Sequence, residues 1–197
     1  MKRSQHGFTL LETLVAVSLL MLSIVGPLTI AQKSVKTSTY TKNRTTAYYL
    51  AQDAQEFLRN IRDTNSLAGG TWSTLGGVYG PCVNGKCDVD TQYSPSQVIS
   101  NSATRAQAIQ SCGTTNCPTL TFVDDPTDLH NGYFGHKVAV STTIVESQYR
   151  REITITPLNT SSPDSRELLI RVDVIWHEGI LGGEKKISLY DEVYDWQ

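Results

Sequence analysis

The chain has 197 residues and a formal net charge of −2 at neutral pH, with an isoelectric point of about 6.1. This length accommodates one domain of ordinary size beside any membrane segment. The charge excludes the overall basic field that is typical of nucleic-acid-binding domains, so we expect no nucleic acid to be bound directly.

An apolar segment near the N-terminus, residues 8–31, contains a single charged side chain, Glu12. A helix of about 20 apolar residues crosses a bilayer core, so the segment is long enough. Three interpretations compete: a secretory signal peptide cleaved after Ala31, a plain membrane anchor, and a membrane segment in which the acid has a function. A lone carboxylate in lipid costs about 2–3 kcal/mol, and the first two interpretations give it no purpose. We therefore prefer the third.

The residues around the acid form a compact motif. Lys2 and Arg3 precede Gly7 and Phe8, and Glu12 follows at the start of the apolar run. This combination resembles the processing signal of type IV pilins and their pseudopilin relatives.

The resemblance implies a specific maturation. A prepilin peptidase is expected to remove the leader, residues 1–7, by cutting after Gly7, and to methylate Phe8. Residues 8–31 then form a transmembrane helix that becomes part of a filament core. The new amine on Phe8 and the Glu12 carboxylate of a neighbouring subunit are expected to pair there and to set the axial register of assembly.

The resemblance also implies partners and a location. The expected partners are the prepilin peptidase, the membrane, and other pilin or pseudopilin subunits bound through the N-terminal helix. We expect a single-pass protein of the cytoplasmic membrane with a cytoplasmic N-terminus and an extracytoplasmic C-terminal domain, which later enters a pilus or pseudopilus. Flanking charges do not set this orientation, since lysines and arginines stand on both sides of the segment, and the motif alone supports it.

A helical pattern continues beyond the membrane segment. Gly26 and Pro27 lie late in the apolar run and predict a helix break or kink, because proline removes a helical hydrogen bond. Residues 32–65 are predicted to continue as an amphipathic helix with apolar residues at three- and four-residue spacing. These apolar residues are Ala47, Leu50, Ala51, Ala54, Phe57, Leu58 and Ile61.

Residues 66–132 are rich in Gly, Ser and Asn and are predicted to form a large loop insertion, with one short helix near residues 104–110. Outside the cytoplasm, cysteines in such a segment form disulfides that staple it. An Asn-Gly turn signal inside the first cysteine pair favours local pairing over crossed pairing or a four-cysteine zinc site. The two pairs are Cys82 with Cys87 and Cys112 with Cys117.

Residues 133–197 are predicted to form an antiparallel sheet. Alternating β-formers indicate strands at residues 150–157 and 167–176, with weaker signals at 186–196 and 138–145. The predicted fold class is α+β. A long N-terminal helix packs by its second half on a three- or four-stranded antiparallel sheet, with the insertion between helix and sheet.

The sequence contains no recognisable catalytic or cofactor motif. We expect no enzymatic activity, no cofactor and no metal, because a Walker loop, a dinucleotide fingerprint, an HExxH motif and a nucleophile motif are all absent from the 197 residues. Acids cluster at Asp88 and Asp90 and again at residues 124–128. Loop carboxylates bind calcium in some pseudopilins, but Asx turns and solvated loops explain these clusters without a metal.

These features predict a structural subunit: a minor pilin or pseudopilin of a type IV pilus, a secretion filament or a DNA-uptake filament. A major subunit fits less well, because the insertion at residues 66–132 is awkward to pack at every filament position. The alternative is a membrane-tethered binding or adhesion domain displayed outside the cytoplasmic membrane, with the insertion as its recognition surface. Glu12 separates the two predictions, because only assembly requires it.

Overall fold

The computed structural model divides the chain into two units, Met1–Asn43 and Arg44–Gln197. The leader, Phe8, five internal positions or segments and the last two residues lie outside the residues that the structure describes. The described residues are 9–83, 85–127, 131–136, 144–158, 167–178 and 183–195.

One long helix leads the fold. This helix, α1, spans Leu10–Leu67 and contains both the apolar segment and the amphipathic segment predicted after it. The elements that follow are α2 (Trp72–Val83), β1 (Lys86–Val89), α3 (Pro95–Ser100), α4 (Ser102–Ala108), β2 (Ile109–Gly113), β3 (Thr119–Val123), β4 (Phe134–Gly135), β5 (Ile144–Pro157), β6 (Glu167–His177) and β7 (Glu184–Tyr194).

The described strands form one antiparallel sheet around β5. Along one side β5 pairs with β6, and β6 pairs with β7. Along the other side the first part of β5 pairs with β3, which also pairs with β4. Farther along that side, Ile153 of β5 meets Cys87 of β1, which pairs with β2. The α+β class is confirmed, and the predicted three or four strands are corrected to seven.

Of the four extra strands, the two-residue β4 lies within the predicted sheet region. The other three, β1 to β3, come from residues 66–132, which carry α2, β1, α3, α4, β2 and β3 where composition predicted mostly loop. Their shortness explains the difference. Hydrophobic periodicity needs a window of about 11 residues or more to indicate an element, and these strands have four or five. They gain their stability from pairing with one another and with β5. The short helix predicted near residues 104–110 corresponds to α4, Ser102–Ala108.

The three C-terminal strands lie where alternation predicted them, in β5, β6 and β7. The strand predicted at residues 138–145 falls mostly outside the described residues, and Ile144 and Val145 belong to the start of β5.

The core lies between one face of this sheet and the amphipathic part of α1. Directly opposite residues of antiparallel strands share a face, so Ile153, Val172 and Leu189 point to the same side. At the edge of this face Asp191 of β7 accepts two hydrogen bonds from Arg59 of α1, at 2.7 and 2.6 Å. The apolar residues of α1 predicted to cover the sheet are all buried: Ala47, Leu50, Ala51, Ala54, Phe57, Leu58 and Ile61.

A buried ion pair lies inside this core. The side chain of Arg151 is 1% exposed, and its Nε donates to Oδ1 of Asp88 at 2.7 Å. Its two other nitrogens donate to the backbone carbonyls of Leu50, at 3.1 Å, and of Val89. The second oxygen of Asp88 lies 2.5 Å from Nε2 of His136. The guanidinium therefore joins α1, β1 and β5.

The pKa of Asp88 follows from these contacts. Complete burial acts to raise the pKa of this carboxyl, but the charge of Arg151 and the hydrogen bond to His136 act the other way. The net result is a pKa below the usual range, so Asp88 is ionised in the folded protein.

The opposite face of the sheet carries a charge network. Glu152 and Asp173 lie directly opposite each other, and each is nearly buried. Lys86 and Arg150 contact Glu152 at 2.7 and 3.1 Å, while Arg171 contacts Asp173. These cations offset the repulsion between two neighbouring carboxylates.

Replacing Asp88 is expected to destabilise the second unit strongly. The Asp88→Asn variant removes the charge that Arg151 contacts at 2.7 Å and leaves it, among the described residues, only the half-exposed Asp53, 3.8 Å away. Breaking a buried ion pair typically costs about 3–5 kcal/mol. Urea unfolding of the full chain in detergent micelles, followed by tryptophan fluorescence, measures the free energy of unfolding. Asp63→Asn is the matched control, because Asp63 forms a half-exposed ion pair with Arg62 worth about 0–1 kcal/mol. Equal losses of unfolding free energy in the two variants would contradict the importance of the buried Arg151–Asp88 pair.

The same carboxylate makes stability depend on acidity. The pKa of Asp88 is lower in the folded than in the unfolded protein, so its contribution is complete above the unfolded value of about 3.9 and is lost as the pH falls below it. We expect the unfolding free energy of the unmodified chain to fall below about pH 4 more steeply than that of Asp88→Asn, by up to about 1.4 kcal/mol per pH unit. Parallel curves contradict this expectation.

Candidate functional site

The first unit of the chain contains the apolar part of α1. An 18-residue window of this helix has a mean hydropathy of 2.3, and none of the window is buried. Within the described ranges, α1 alone is long and apolar enough to cross a membrane, judged by length and composition. Its exposed large apolar residues are Leu10, Leu11, Leu14, Val15, Val17, Leu19, Leu20, Met21, Leu22, Ile24, Val25, Leu28 and Ile30.

The hydroxyl side chains of this segment are satisfied by the helix itself. Thr13 and Ser18 donate to the carbonyls of Leu10 and Leu14 at 2.9 and 2.8 Å. Ser23 and Thr29 likewise donate to carbonyls three residues before them, both at 2.7 Å. A lipid environment offers no other partner, so these internal bonds make the hydroxyls compatible with a membrane.

Glu12 differs from these hydroxyls. It lies in the first turn of α1 and is exposed. No described residue forms a hydrogen bond or ion pair with its carboxylate. Among the polar side chains of residues 10–31, Glu12 therefore differs from the four hydroxyls in having no hydrogen-bond partner among the described residues. The Gly7 and Phe8 positions of the processing motif lie outside the described residues.

Thr9 has a role that the sequence analysis missed. Its hydroxyl accepts a hydrogen bond from the backbone N–H of Glu12 at 3.3 Å, and its carbonyl accepts one from Thr13 at 3.2 Å. Thr9 thus caps the start of α1. The pattern Thr-x-x-Glu before an apolar run is a capping-box signature and was sufficient to predict this cap. An acid in the first turn also interacts favourably with the helix dipole.

α1 continues through Gly26 and Pro27, the positions at which a helix break or kink was predicted. Pro27 has no N–H to donate to the carbonyl of Ser23, one turn earlier. One lost bond does not end a helix whose remaining turns are intact. Thr29 adds a side-chain bond to the Gly26 carbonyl in the following turn. A local opening of the helix at Gly26 and Pro27 during assembly stays a prediction.

The cysteines form two local disulfides, Cys82–Cys87 and Cys112–Cys117, with Cα atoms 4.9 and 5.0 Å apart. This is the local alternative among the three pairings considered. The loops that they close lie against each other, since a Cβ on Gly85 would stand 2.7 Å from the carbonyl oxygen of Gly113. Together they form one stapled end of the sheet, at β1 and β2.

The first acid of the Asp88/Asp90 cluster is engaged in the fold. Asp88 pairs with Arg151 and His136, as described above, while His177 is exposed at the end of β6. His6 and His130 lie outside the described residues. Within the described part of the chain, no group of three or more His, Cys, Asp or Glu side chains stands close enough together to hold a metal ion.

A groove of about 750 Å³ runs between α1 and β7. Its charged groups largely bind each other. Arg59 pairs with Asp191 and Glu56, and the carboxylate of Asp53 accepts a hydrogen bond from Thr91 at 2.7 Å. The groove therefore offers little free charge to a ligand.

Comparison with known proteins identifies the N-terminal segment. Residues 2–26 match the family model described as the prokaryotic N-terminal methylation motif. No curated protein and no solved structure matches the chain significantly. The match covers the basic leader, the Gly-Phe junction, Glu12 and most of the apolar run, which are the residues that carry the resemblance noted from the sequence. By this N-terminal segment the chain is a type IV prepilin-like protein.

Proposed function

We propose that the chain is a minor pilin or pseudopilin, a structural subunit of a type IV pilus, a secretion filament or a DNA-uptake filament. A prepilin peptidase cuts it after Gly7 and methylates Phe8. The apolar helix then leaves the membrane and packs with the corresponding helices of other subunits.

One observation carries the proposal. The methylation motif, residues 2–26, extends into a helix that begins at Leu10. The apolar side chains of this helix are exposed and its hydroxyls are internally bonded, while the Glu12 carboxylate has no partner among the described residues. A membrane anchor gains nothing from such a carboxylate. A subunit that must find its neighbours in an apolar bundle gains a specific contact, because a charge buried there is stable only when paired.

The partner of Glu12 in this proposal is the amine that the cut creates. An α-amine is protonated near neutral pH, since its pKa is about 7.7–8.0. Pairing the Phe8 amine of one subunit with the Glu12 carboxylate of another fixes their relative axial position, as a single buried polar residue fixes register in a coiled coil.

The proposal places the second unit, Arg44–Gln197, outside the cytoplasmic membrane. Its two disulfides support this location, because disulfides persist in oxidising compartments and are rare in the cytosol.

Processing is the first prediction of this function. In membranes that contain a prepilin peptidase, intact mass and N-terminal sequencing are expected to give a chain that begins at Phe8 and carries one added methyl. Without the peptidase the chain is expected to keep its leader. Gly7→Val should block the cut, because a branched side chain obstructs the scissile carbonyl. Gly26→Val is the matched control, since a Cβ at Gly26 meets no atom within 4 Å.

Other N-termini contradict the proposal in different ways. A chain that begins near Gln32 identifies the apolar segment as a discarded signal peptide. A chain that keeps its leader in the presence of an active peptidase supports a membrane-tethered binding domain instead.

Assembly is the second prediction. Glu12→Ala is expected to be processed and inserted normally but to enter filaments at less than about a tenth of the normal level, because one charge of the buried pair then lacks its partner. A loss of 1.4 kcal/mol per contact already lowers association tenfold. Immunoblotting of sheared filaments against membranes measures the ratio. Glu56→Ala, which removes an exposed helical acid, is the control. Equal incorporation of the two variants into filaments would contradict the proposed role of Glu12 in setting the register.

A further inference from the structure

The positive charges that flank the apolar helix are distributed against the proposed orientation, because more of them lie on the outer side than on the cytoplasmic side. The leader supplies two cations, Lys2 and Arg3, on the proposed cytoplasmic side. The other side carries Lys33, Lys36 and Lys42, with Arg44 directly after them, and no acid. Cytoplasmic flanks normally have the excess of positive charge. Cations on the outer flank therefore work against insertion in this orientation, and we looked for an interaction that explains them.

Two of these lysines share a helical face. At 100° per residue, Lys36 and Tyr40 lie within about 60° of Lys33, while Lys42 lies about 180° away. All of this segment is α-helical in the structure. The side chains of Lys33 and Lys36 are exposed, and neither has an ion-pair partner among the described residues. Lys33, Lys36 and Tyr40 are called the basic stripe below.

The distance of the stripe from the apolar run matches the headgroup layer of a bilayer. Lys33 and Lys36 stand two and five residues after Ala31, which is about 3 and 8 Å along the helix axis. The polar layer on each side of the hydrocarbon core is about 5–8 Å thick. Tyr40 lies in the next turn, about 14 Å beyond Ala31 and outside this layer, so the two lysines supply the contacts within it. Lys42, about 17 Å beyond Ala31, is outside this layer.

We propose that the basic stripe binds the phosphate groups of an anionic phospholipid leaflet. The inference rests on the proposed function, because it requires the apolar part of α1 to span the membrane. Flexible lysine side chains reach phosphate oxygens at this depth, and the contact holds the precursor at a fixed position before assembly. A leaflet explains unpaired cations at this place better than the protein groove between α1 and β7, whose charges already bind each other.

The test uses the full chain, with its leader, in lipid nanodiscs that contain the same lipids in both leaflets. Electron paramagnetic resonance of spin-labelled phosphatidylglycerol and phosphatidylcholine gives the fraction of each lipid held at the protein surface. The ratio of the two association constants measures the preference for the anionic lipid. Orientation does not affect this ratio, because the leaflets are identical.

The double variant Lys33→Gln/Lys36→Gln is expected to lower the preference at least fivefold, because a single lysine near a membrane surface already contributes about 1 kcal/mol, or about fivefold. Lys42→Gln is the matched control and is expected to leave the ratio within 1.5-fold, an order-of-magnitude bound set by its distance from the layer. In about 1 M salt the unmodified chain should approach the double variant, because the screening length falls to about 3 Å.

The outcomes separate the two proposals. If surface-held lipid is present but the double variant keeps the full preference, or Lys42→Gln loses as much, the stripe is not the lipid site and the membrane span stands. If neither lipid is held at the protein surface, α1 does not span the disc, and both the stripe and the proposed function fall.

Discussion

The second unit, Arg44–Gln197, depends on the charge of Arg151, which is buried in its core at a high desolvation cost. Arg151 is surrounded by α1, β1 and β5, and its bonds to Asp88 and to two backbone carbonyls replace the water that it loses. None of these elements can shift without breaking one of those bonds. The short strand β1 is thereby tied to the long helix, although few apolar residues connect them. A hydrophobic substitute for the pair would pack, but it would not dictate which carbonyl of α1 faces the sheet.

In the apolar part of α1, by contrast, polar groups are bonded locally and not by distant elements. The helix itself supplies the hydrogen-bond partners of its hydroxyl side chains. Each hydroxyl donates to a backbone carbonyl about one turn earlier. Glu12 does not follow this pattern, because no described residue binds its carboxylate. In the proposed function this carboxylate is the group that a neighbouring subunit binds.

The parts of the fold that could be predicted are those with a long repeat. The 3.6-residue pattern of α1 and the alternation in β5, β6 and β7 extend over enough residues to be recognised. In β5 the same alternation places Arg151 on the side of Ile153 and Ile155. The strands β1 to β3 are too short to show a pattern, and their pairing is decided by contacts distant in sequence. Asp88 lay in an apparent surface acid cluster because no local feature distinguishes a buried carboxylate from a solvated one.

The two disulfides have a consequence for the order of events during folding. Each closes a loop whose cysteines are five positions apart in the chain. Contacts over such short separations form in well under a microsecond in an unfolded chain, long before strands distant in sequence find each other. Both bonds can therefore be made by an oxidant as the segment emerges, independently of the sheet. A locally closed pair cannot trap a wrong long-range topology, so the domain needs no later reshuffling of its sulfurs.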